Sequence, residues 1–298
     1  MAGSQRVYKQ KIRATQTLKK VFRAMELIAA SRITKARKKA QGRDPYTLAL
    51  VRAVSAVAEH ANLDHPLIKG RQDTNRVAVL AITSDRGMAG AYSATVLRET
   101  ERLLERLESE GKEPVLYVSG RRGESYFRFR GREVVRSWTG SSDNPDAETS
   151  TEIADELLAA FLAPAEEGGV GELHVVFTRF VSMVSQVPQV RRMLPLEVVE
   201  GVTEAGAHAL PLYEFEPSPD EVLDALLPLY VRNRIYAQHL MAAASELAAR
   251  QQAMHTATDN AEDLIRDYTR LANQARQADI TSEITEIVSG ADALASSR

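Results

Sequence analysis

The sequence predicts a mixed α+β and α/β fold, in which a long antiparallel coiled coil of the N- and C-terminal helices carries an inserted Rossmann-like α/β domain. Two observations predict it. Apolar residues recur at heptad spacing towards both ends, and strand-like segments alternate with helical ones between them. The predicted division is an N-terminal coiled-coil helix at 1–60, an inserted α/β domain at 74–210 and a C-terminal coiled-coil helix at 219–298.

The N-terminal helix is predicted from the basic stretch TLKKVFRAMELIAASRITKARKK, residues 17–39, which holds eight Lys or Arg and one Glu. Its apolar residues are spaced in threes and fours, as in a helix that packs against a partner helix. The two predicted heptad rows are Leu18, Met25 and Arg32, and Phe22, Ala29 and Ala36. The Gly42–Pro45 segment is expected to interrupt the helix, because proline removes a backbone donor.

The middle of the chain predicts a layered domain with a mainly parallel sheet. Short β-rich segments bounded by Gly or Pro alternate there with helical ones, which is the pattern of a parallel sheet covered by helices. The predicted strands are 76–84, 113–120, 132–138 and 172–180, and the predicted helices are 94–111 and 151–163. Residues 195–219 are rich in Gly, Pro and Glu and are predicted to be a connector.

The C-terminal segment has the stronger coiled-coil pattern. From residue 220 to about 295 the helical periodicity is nearly unbroken, and four to five heptads stay in register. The predicted rows are Leu240, Leu247, Met254, Ala261, Tyr268 and Ala275, with Ala244, Gln251, Thr258, Ile265 and Ala272. Since the other coiled-coil segment lies at the opposite end of the chain, the two are expected to pair antiparallel.

Composition narrows the functional classes. The chain has no Cys, and its six His lack the spacing of a helical or strand metal site, so we expect no metal and no cofactor. No stretch of about 18 uninterrupted apolar residues occurs. The N-terminus resembles neither a signal peptide nor a transit peptide, which predicts a cytosolic protein that can dock on a larger assembly.

The segment SDRGMAGA, residues 84–91, lies between a predicted strand and a predicted helix, where phosphate-binding loops occur. It matches neither the dinucleotide nor the triphosphate glycine pattern, so we interpret it as a tight turn in which Gly87 and Gly90 supply backbone freedom. No nucleophile elbow or zinc-hydrolase motif occurs either. The sequence therefore predicts that the chain is not an enzyme by itself.

Charge is distributed unevenly. Residues 1–43 hold thirteen Lys or Arg and one acidic residue, whereas residues 220–298 hold seven Arg and twelve Asp or Glu. This asymmetry predicts either an acidic partner or contact between the two ends. A basic helix could also bind nucleic acid or a membrane surface, but interleaved aromatics are scarce and the apolar stripe is rich in alanine. A basic coiled-coil nucleic-acid-binding protein remains the alternative.

Four segments resemble the gamma subunit family of F-type ATP synthases. The most specific is ITSEITEIVSGADA, residues 280–293, which matches the family pattern Ile/Val-Thr-x-Glu-x-x-Asp/Glu-x-x-x-Gly-Ala-x-small. Its matching residues are Ile280, Thr281, Glu283, Glu286, Gly290, Ala291 and Ala293. The other segments are KKVFRAMELIAASRI at 19–33, SDRGMAGAYS at 84–93 and ASELAARQQAMHTATDNAEDLI at 244–265.

The resemblance implies a role as the central rotor stalk of a proton-translocating ATP synthase, with ATP chemistry left to other subunits. The implied partners are three alpha and three beta subunits, the epsilon subunit and the c-ring. One copy would serve each complex at the cytoplasmic face of a bacterial membrane, touching the membrane only through the c-ring. No nucleic acid is implied. The implied contact residues are Lys19, Lys20, Arg23, Met25, Arg276 and Gln277.

Overall fold

A computed structural model describes residues 2–58, 68, 70, 71, 73–196 and 215–296. Residues 1, 59–60, 197–214 and 297–298, which belong to the predicted helices, domain and connector, lie outside the described residues. In chain order the elements are α1 (Ala2–Ala58), β1 (Arg76–Ile82), α2 (Tyr92–Ser109), β2 (Glu113–Ser119), α3 (Arg121–Phe129), β3 (Arg136–Trp138), α4 (Ala147–Leu162), a 3-10 turn (Ala165–Glu167), β4 (Glu172–Phe180), β5 (Gln186–Leu194) and α5 (Pro219–Ser296).

The central sheet has five strands in the order β3-β2-β1-β4-β5. The first four run parallel, and β5 pairs antiparallel with β4 at one edge. The parallel part has the strand order of a doubly wound half-sheet. Because β5 is antiparallel, the sheet is mixed. The sequence predicted the four parallel strands, but it predicted neither β5 nor α3.

The two faces of the sheet bury different helices. On one face, Leu80 and Val175 pack in a core with Leu157 of α4 and Leu227 of α5. On the other face, a second core joins strand residues to α2 and α3, and it includes Val79, Leu104, Leu107 and Phe127. Because β1, β2 and β4 are covered on both sides, they are mostly apolar rather than alternating.

The chain divides into two compact units, residues 1–29 with 251–298 and residues 30–250. Each unit contains one part of α1 and one part of α5. The larger unit holds the whole sheet as well. No helix in the described ranges has both the length and the apolar content needed to cross a membrane.

The predicted interruption of the first helix is wrong. α1 continues through Gly42 and Pro45 and ends at Ala58. An internal proline costs a helix roughly 3 kcal/mol. After the proline, however, α1 buries Leu50 and Val57, and each such side chain contributes about 1.5–3 kcal/mol. Tertiary packing therefore outweighs the local penalty.

One of the two predicted heptad rows in α1 is also wrong. Leu18 is 52% exposed, and Arg32 is exposed too. The inward row instead contains Lys19, Glu26 and Ile33, of which Glu26 and Ile33 are buried. The apolar pattern of the sequence favoured the row that begins at Leu18, because Lys19 and Glu26 of the observed inward row are charged.

Candidate functional site

In the smaller unit, α1 and α5 pack against each other in opposite directions. Tyr8 and Tyr268 bring their ring centroids within 6.4 Å, and the Lys11 ammonium lies 5.4 Å from the Tyr268 ring centroid. Further along α1, Lys19 makes an ion pair with Glu262. As residue numbers increase along α1, the residue numbers of their contacts on α5 decrease, as an antiparallel coiled coil requires.

Glu26 is a buried carboxylate in this helix pair. Its Oε2 accepts a hydrogen bond from Arg23 Nη1 at 2.8 Å, and its Oε1 lies 3.3 Å from His255 Nδ1 of α5. Both neighbours are half to mostly exposed, with 55% of the Arg23 side chain and 59% of the His255 side chain accessible. Glu26 therefore holds the partly exposed Arg23 side chain against the interface between α1 and α5, which we call the seam.

The predicted contact residues of α1 lie in different settings. Lys19 is paired with Glu262, which lowers the pKa of Glu262 through a side-chain hydrogen bond. Lys20 and Arg23 face outward, and Met25 is half-buried. Lys20 makes no side-chain hydrogen bond or ion pair with any described residue. Of the four, Lys20 is the cation most available to a partner.

The predicted contact residues of α5, Arg276 and Gln277, are both exposed near the end of the helix. Within the described part of the chain, the Arg276 guanidinium has no ion-pair partner. The family-motif residues that follow are exposed as well: Ile280, Thr281, Glu283, Glu286, Gly290 and Ala291. Large apolar side chains are among the exposed ones here, and Ile287 is 71% accessible.

The predicted seam residues of α5 are turned inward. Leu240, Leu247 and Met254 are buried, and Ile265 and Tyr268 are half-buried. In the larger unit, Leu247 packs with Ile33 and Ala36 of α1 and with two alanines of its own helix. Their burial supports the proposed seam, and it decreases towards the end of α5.

The SDRGMAGA segment forms the β1–α2 loop. The Asp85 carboxylate of this loop accepts several backbone hydrogen bonds from neighbouring segments. Asp85 Oδ1 accepts a hydrogen bond from the Arg121 backbone at 3.0 Å, and Oδ2 accepts from the Gly140 and Ser142 backbones at 2.8 and 2.9 Å. Partial burial by itself would raise the pKa of Asp85, but these N–H donors outweigh it and lower the pKa below its usual range. Asp85 thereby ties the β1–α2 loop to the start of α3 and to the segment after β3.

The backbone of this loop only partly follows the prediction. Gly90 has φ of +56°, the left-handed conformation that glycine adopts at low cost. Met88 also has positive φ, at +61°, whereas Gly87 does not appear among the positive-φ glycines. Gly90 is therefore the glycine whose conformational freedom the turn uses.

Sequence reasoning missed a buried ion pair in the larger unit. Glu246 Oε1 accepts a hydrogen bond from Arg250 Nη2 at 2.6 Å, and both side chains are almost inaccessible. The signal was a Glu and an Arg four residues apart inside the alanine-rich ASELAAR segment. That spacing usually describes an exposed pair, so sequence alone did not suggest burial.

The fold and these surfaces define a class of protein, a mixed α/β chain whose terminal helices pair and present charged and apolar residues outward. A family model described as ATP synthase matches residues 4–294. The chain is 70% identical over 297 residues to the ATP synthase gamma chain of Beutenbergia cavernae, with both chains covered completely. It is 58% identical to that of a Nocardioides species, covering 99% of this chain and 98% of the relative. The chain belongs to the ATP synthase gamma chain family.

Solved structures have the same fold. A chain of the Euglena gracilis mitochondrial ATP synthase, in a cryo-EM structure of its OSCP, F1 and c-ring, matches with a TM-score of 0.72 at 16% identity. That match covers 99% of this chain and 95% of the other. A chain from the central stalk and c-ring of the Tetrahymena thermophila enzyme matches with a TM-score of 0.57 at 19% identity, covering 80% of this chain and 99% of the other.

Proposed function

We propose that this chain is the central-stalk rotor subunit of a proton-translocating ATP synthase. It couples rotation of the ion-driven c-ring to ATP synthesis or hydrolysis at the alpha and beta subunits. The observation that carries the proposal is the outward-facing end of α5, where the residues of the family motif are exposed. Large apolar residues there are unusually accessible: Ile280, Ile284, Ile287 and Val288. Clustered exposed apolar residues mark interaction surfaces.

The proposed partners are three alpha and three beta subunits, the epsilon subunit and the c-ring, with one copy of this chain in each complex. The family assignment supports this set, and the exposed basic surface of α1 supports an acidic counterpart. Contact with the membrane is proposed to be indirect, through the c-ring, at the cytoplasmic face of a bacterial membrane.

We propose that the chain contributes no catalytic group of its own. The β1–α2 loop supports this view, because its sequence lacks the glycine spacing of a phosphate-binding loop. The division of labour is proposed to follow the predicted segments. Helices at 1–60 and 219–298 form the coiled-coil shaft, and the α/β domain at 74–210 is inserted between them.

Arg276 and Gln277 test the proposal. Arg276→Leu and Gln277→Leu, made separately, are expected to lower steady-state ATPase of the assembled complex while the chain stays folded. An arginine can make a bidentate contact with a carboxylate, and removing one partner of a desolvated charge pair typically costs about 2–5 kcal/mol. The measurement is ATP turnover of complexes matched for subunit content.

Arg270→Leu is the matched control. Its side chain is also exposed on α5, and it lies outside the proposed contact set, so turnover should stay close to that of the parent complex. A Lys20→Glu exchange should be milder than Arg276→Leu, because surface charges are screened. If Arg276→Leu left turnover unchanged while Lys20→Glu abolished it, the decisive contact would lie on α1 instead.

The nucleic-acid alternative receives no support from the related proteins. Co-purification distinguishes the two functions. A rotor subunit is expected to purify with alpha and beta subunits and ATPase activity. A nucleic-acid-binding protein would instead retain DNA or RNA that high salt removes.

A further inference from the structure

Helix α1 crosses a weak stretch in the larger unit, around its internal proline. Glycine and proline are the least favourable residues for a helix interior, and this stretch holds one of each, Gly42 and Pro45. Pro45 also has no N–H to donate to the carbonyl group four residues before it. The backbone of α1 therefore supports itself less well here than in the turns on either side.

A side chain of α5 joins the two flanks of this stretch. Asn233 Oδ1 accepts hydrogen bonds from Arg43 Nε at 3.3 Å and from Arg43 Nη2 at 3.2 Å. Asn233 Nδ2 donates to the Thr47 hydroxyl at 2.8 Å. Arg43 precedes Pro45 by two residues and Thr47 follows it by two. A single amide group thus holds α1 on both sides of its proline.

The Asn233 amide is enclosed, and both of its ends are hydrogen-bonded. Its residue is 3% exposed. Because a guanidinium group has donors only, the carbonyl end of the amide must face Arg43, which leaves the NH2 end for the hydroxyl. The Arg43 guanidinium also lies 4.5 Å from the ring centroid of Tyr236 on α5. α5 therefore provides both the acceptor and an aromatic face for Arg43.

Stability alone does not explain a buried amide at this position. The neighbouring inward residues of α5, Val231 and Ile235, are apolar and fully buried. Burying an amide costs free energy that an apolar residue would not cost. Buried polar contacts between paired helices are known to fix their alignment at the expense of stability. The position of Asn233 therefore indicates a role in alignment.

We propose that Asn233 is a positioning residue for α1. With Arg43 and Thr47 it forms what we call the brace, which holds the two flanks of Pro45 at the spacing of a continuous helix and keeps α1 straight there. Without the brace, α1 bends or opens after the proline. The proposal concerns the larger unit alone and goes beyond the rotor function. In a rotor, a straight α1 also keeps rotation from being lost to bending, a consequence that rests on the proposed function.

Two spin labels on α1 of the full-length chain test the proposal. The chain has no Cys, so Lys38→Cys and Arg52→Cys give unique attachment sites at exposed positions on either side of the brace. In a straight helix these positions lie about 21 Å apart along the axis. Pulsed electron paramagnetic resonance should give one narrow distance distribution in the otherwise unchanged chain. Asn233→Leu should broaden the distribution and add a shorter distance.

Hydrogen exchange provides a second measurement without labels. Amide exchange of residues 46–50 is followed by mass spectrometry in the full-length chain. Loss of the brace should lower the protection of these amides at least tenfold, because hydrogen bonds to a charged group are lost. The amides of residues 33–40 should keep their protection, because Ile33 and Ala36 stay packed against α5.

Thr47 offers a matched pair of variants. Thr47→Val removes the hydroxyl group at nearly constant volume and should change both measurements in the same direction as Asn233→Leu. Thr47→Ser keeps the hydroxyl group and should resemble the parent chain. This pair decides the question even if Asn233→Leu folds poorly. Asn273→Leu, at an exposed position of α5, is the control and should change neither measurement.

Two results would overturn the proposal. One is a parent-like distance distribution and parent-like protection in both Asn233→Leu and Thr47→Val. The other is an equal effect of Thr47→Val and Thr47→Ser, because the hydroxyl group would then not be the cause. Both measurements use the chain without its partners, so a failure of the proposed rotor function would leave their outcome unaffected.

Discussion

His239 on α5 is a buried histidine beside the end of β2. Its Nδ1 lies 3.0 Å from the backbone oxygen of Ile235, to which it can donate, and its Nε2 lies 3.3 Å from the Ser119 hydroxyl. Burial lowers the pKa of His239 to about 4, although Ile235 and Asp146 oppose the change. The ring is therefore neutral at neutral pH and joins the helix to the sheet.

We expect His239 to contribute to acid sensitivity. Its folded pKa lies below the unfolded value near 6.5. Its contribution is therefore complete above pH 6.5 and is lost as the pH falls from 6.5 to about 4, an effect of about 3 kcal/mol. His239→Gln should flatten this part of the profile, measured by urea unfolding between pH 4.5 and 7.5.

His255→Gln provides the comparison, because that histidine is mostly exposed. Equal acid sensitivity of the parent chain and His239→Gln would contradict the assignment.

At the scale of elements, sequence patterns predicted those segments whose own periodicity is strong. α5 and β4 were predicted closely, because uninterrupted helical or β-rich patterns define them. β5 was missed because QVPQVRRML combines a proline with two arginines, and because β5 lies at the edge of the sheet. Local sequence does not contain the pairing with β4 that makes this segment a strand.

The seam of the helix pair is the element-scale feature most open to mutation. Leu247→Asp should destabilise the larger unit by about 3–5 kcal/mol, because a carboxylate would be buried without a partner beside Ile33 and Ala36. Met254→Asp should act similarly in the smaller unit. The measurements are the urea midpoint of the chain and coupled proton pumping of the assembled complex.

Leu264→Asp is the matched control on the same helix, because Leu264 is 45% exposed. It should change the free energy of unfolding by no more than about 0.5 kcal/mol, as surface substitutions usually do. Full proton pumping by both Leu247→Asp and Met254→Asp would refute the proposed seam.

At the scale of the whole molecule, the difference in charge between the two ends of the chain predicted either an acidic partner or contact between the ends. The Lys19–Glu262 pair shows that the ends do meet within the smaller unit. Lys20 still faces outward, so the contact leaves basic residues for a partner. The family assignment predicted from four short motifs is confirmed by the full-length relatives. The individual contact residues stay predictions, because their partners belong to other chains.

The isolated chain should neither hydrolyse ATP nor bind it with micromolar affinity. The β1–α2 loop lacks the glycine spacing of a phosphate-binding loop. Calorimetry of the purified chain with Mg-ATP is the measurement. Stoichiometric binding that disappears on changing Gly87 or Gly90 would revive an enzymatic function.

The packing of α5 against the sheet also affects the order in which the chain can fold during synthesis. All five strands have left the ribosome once Leu194 has emerged, yet one sheet face still lacks Leu223, Leu227, Val231 and Ile235 of α5. Until then an apolar face of the nascent sheet stays open to water or to a chaperone. The sheet therefore completes its core only late in translation, and a chain truncated before α5 should be prone to aggregate.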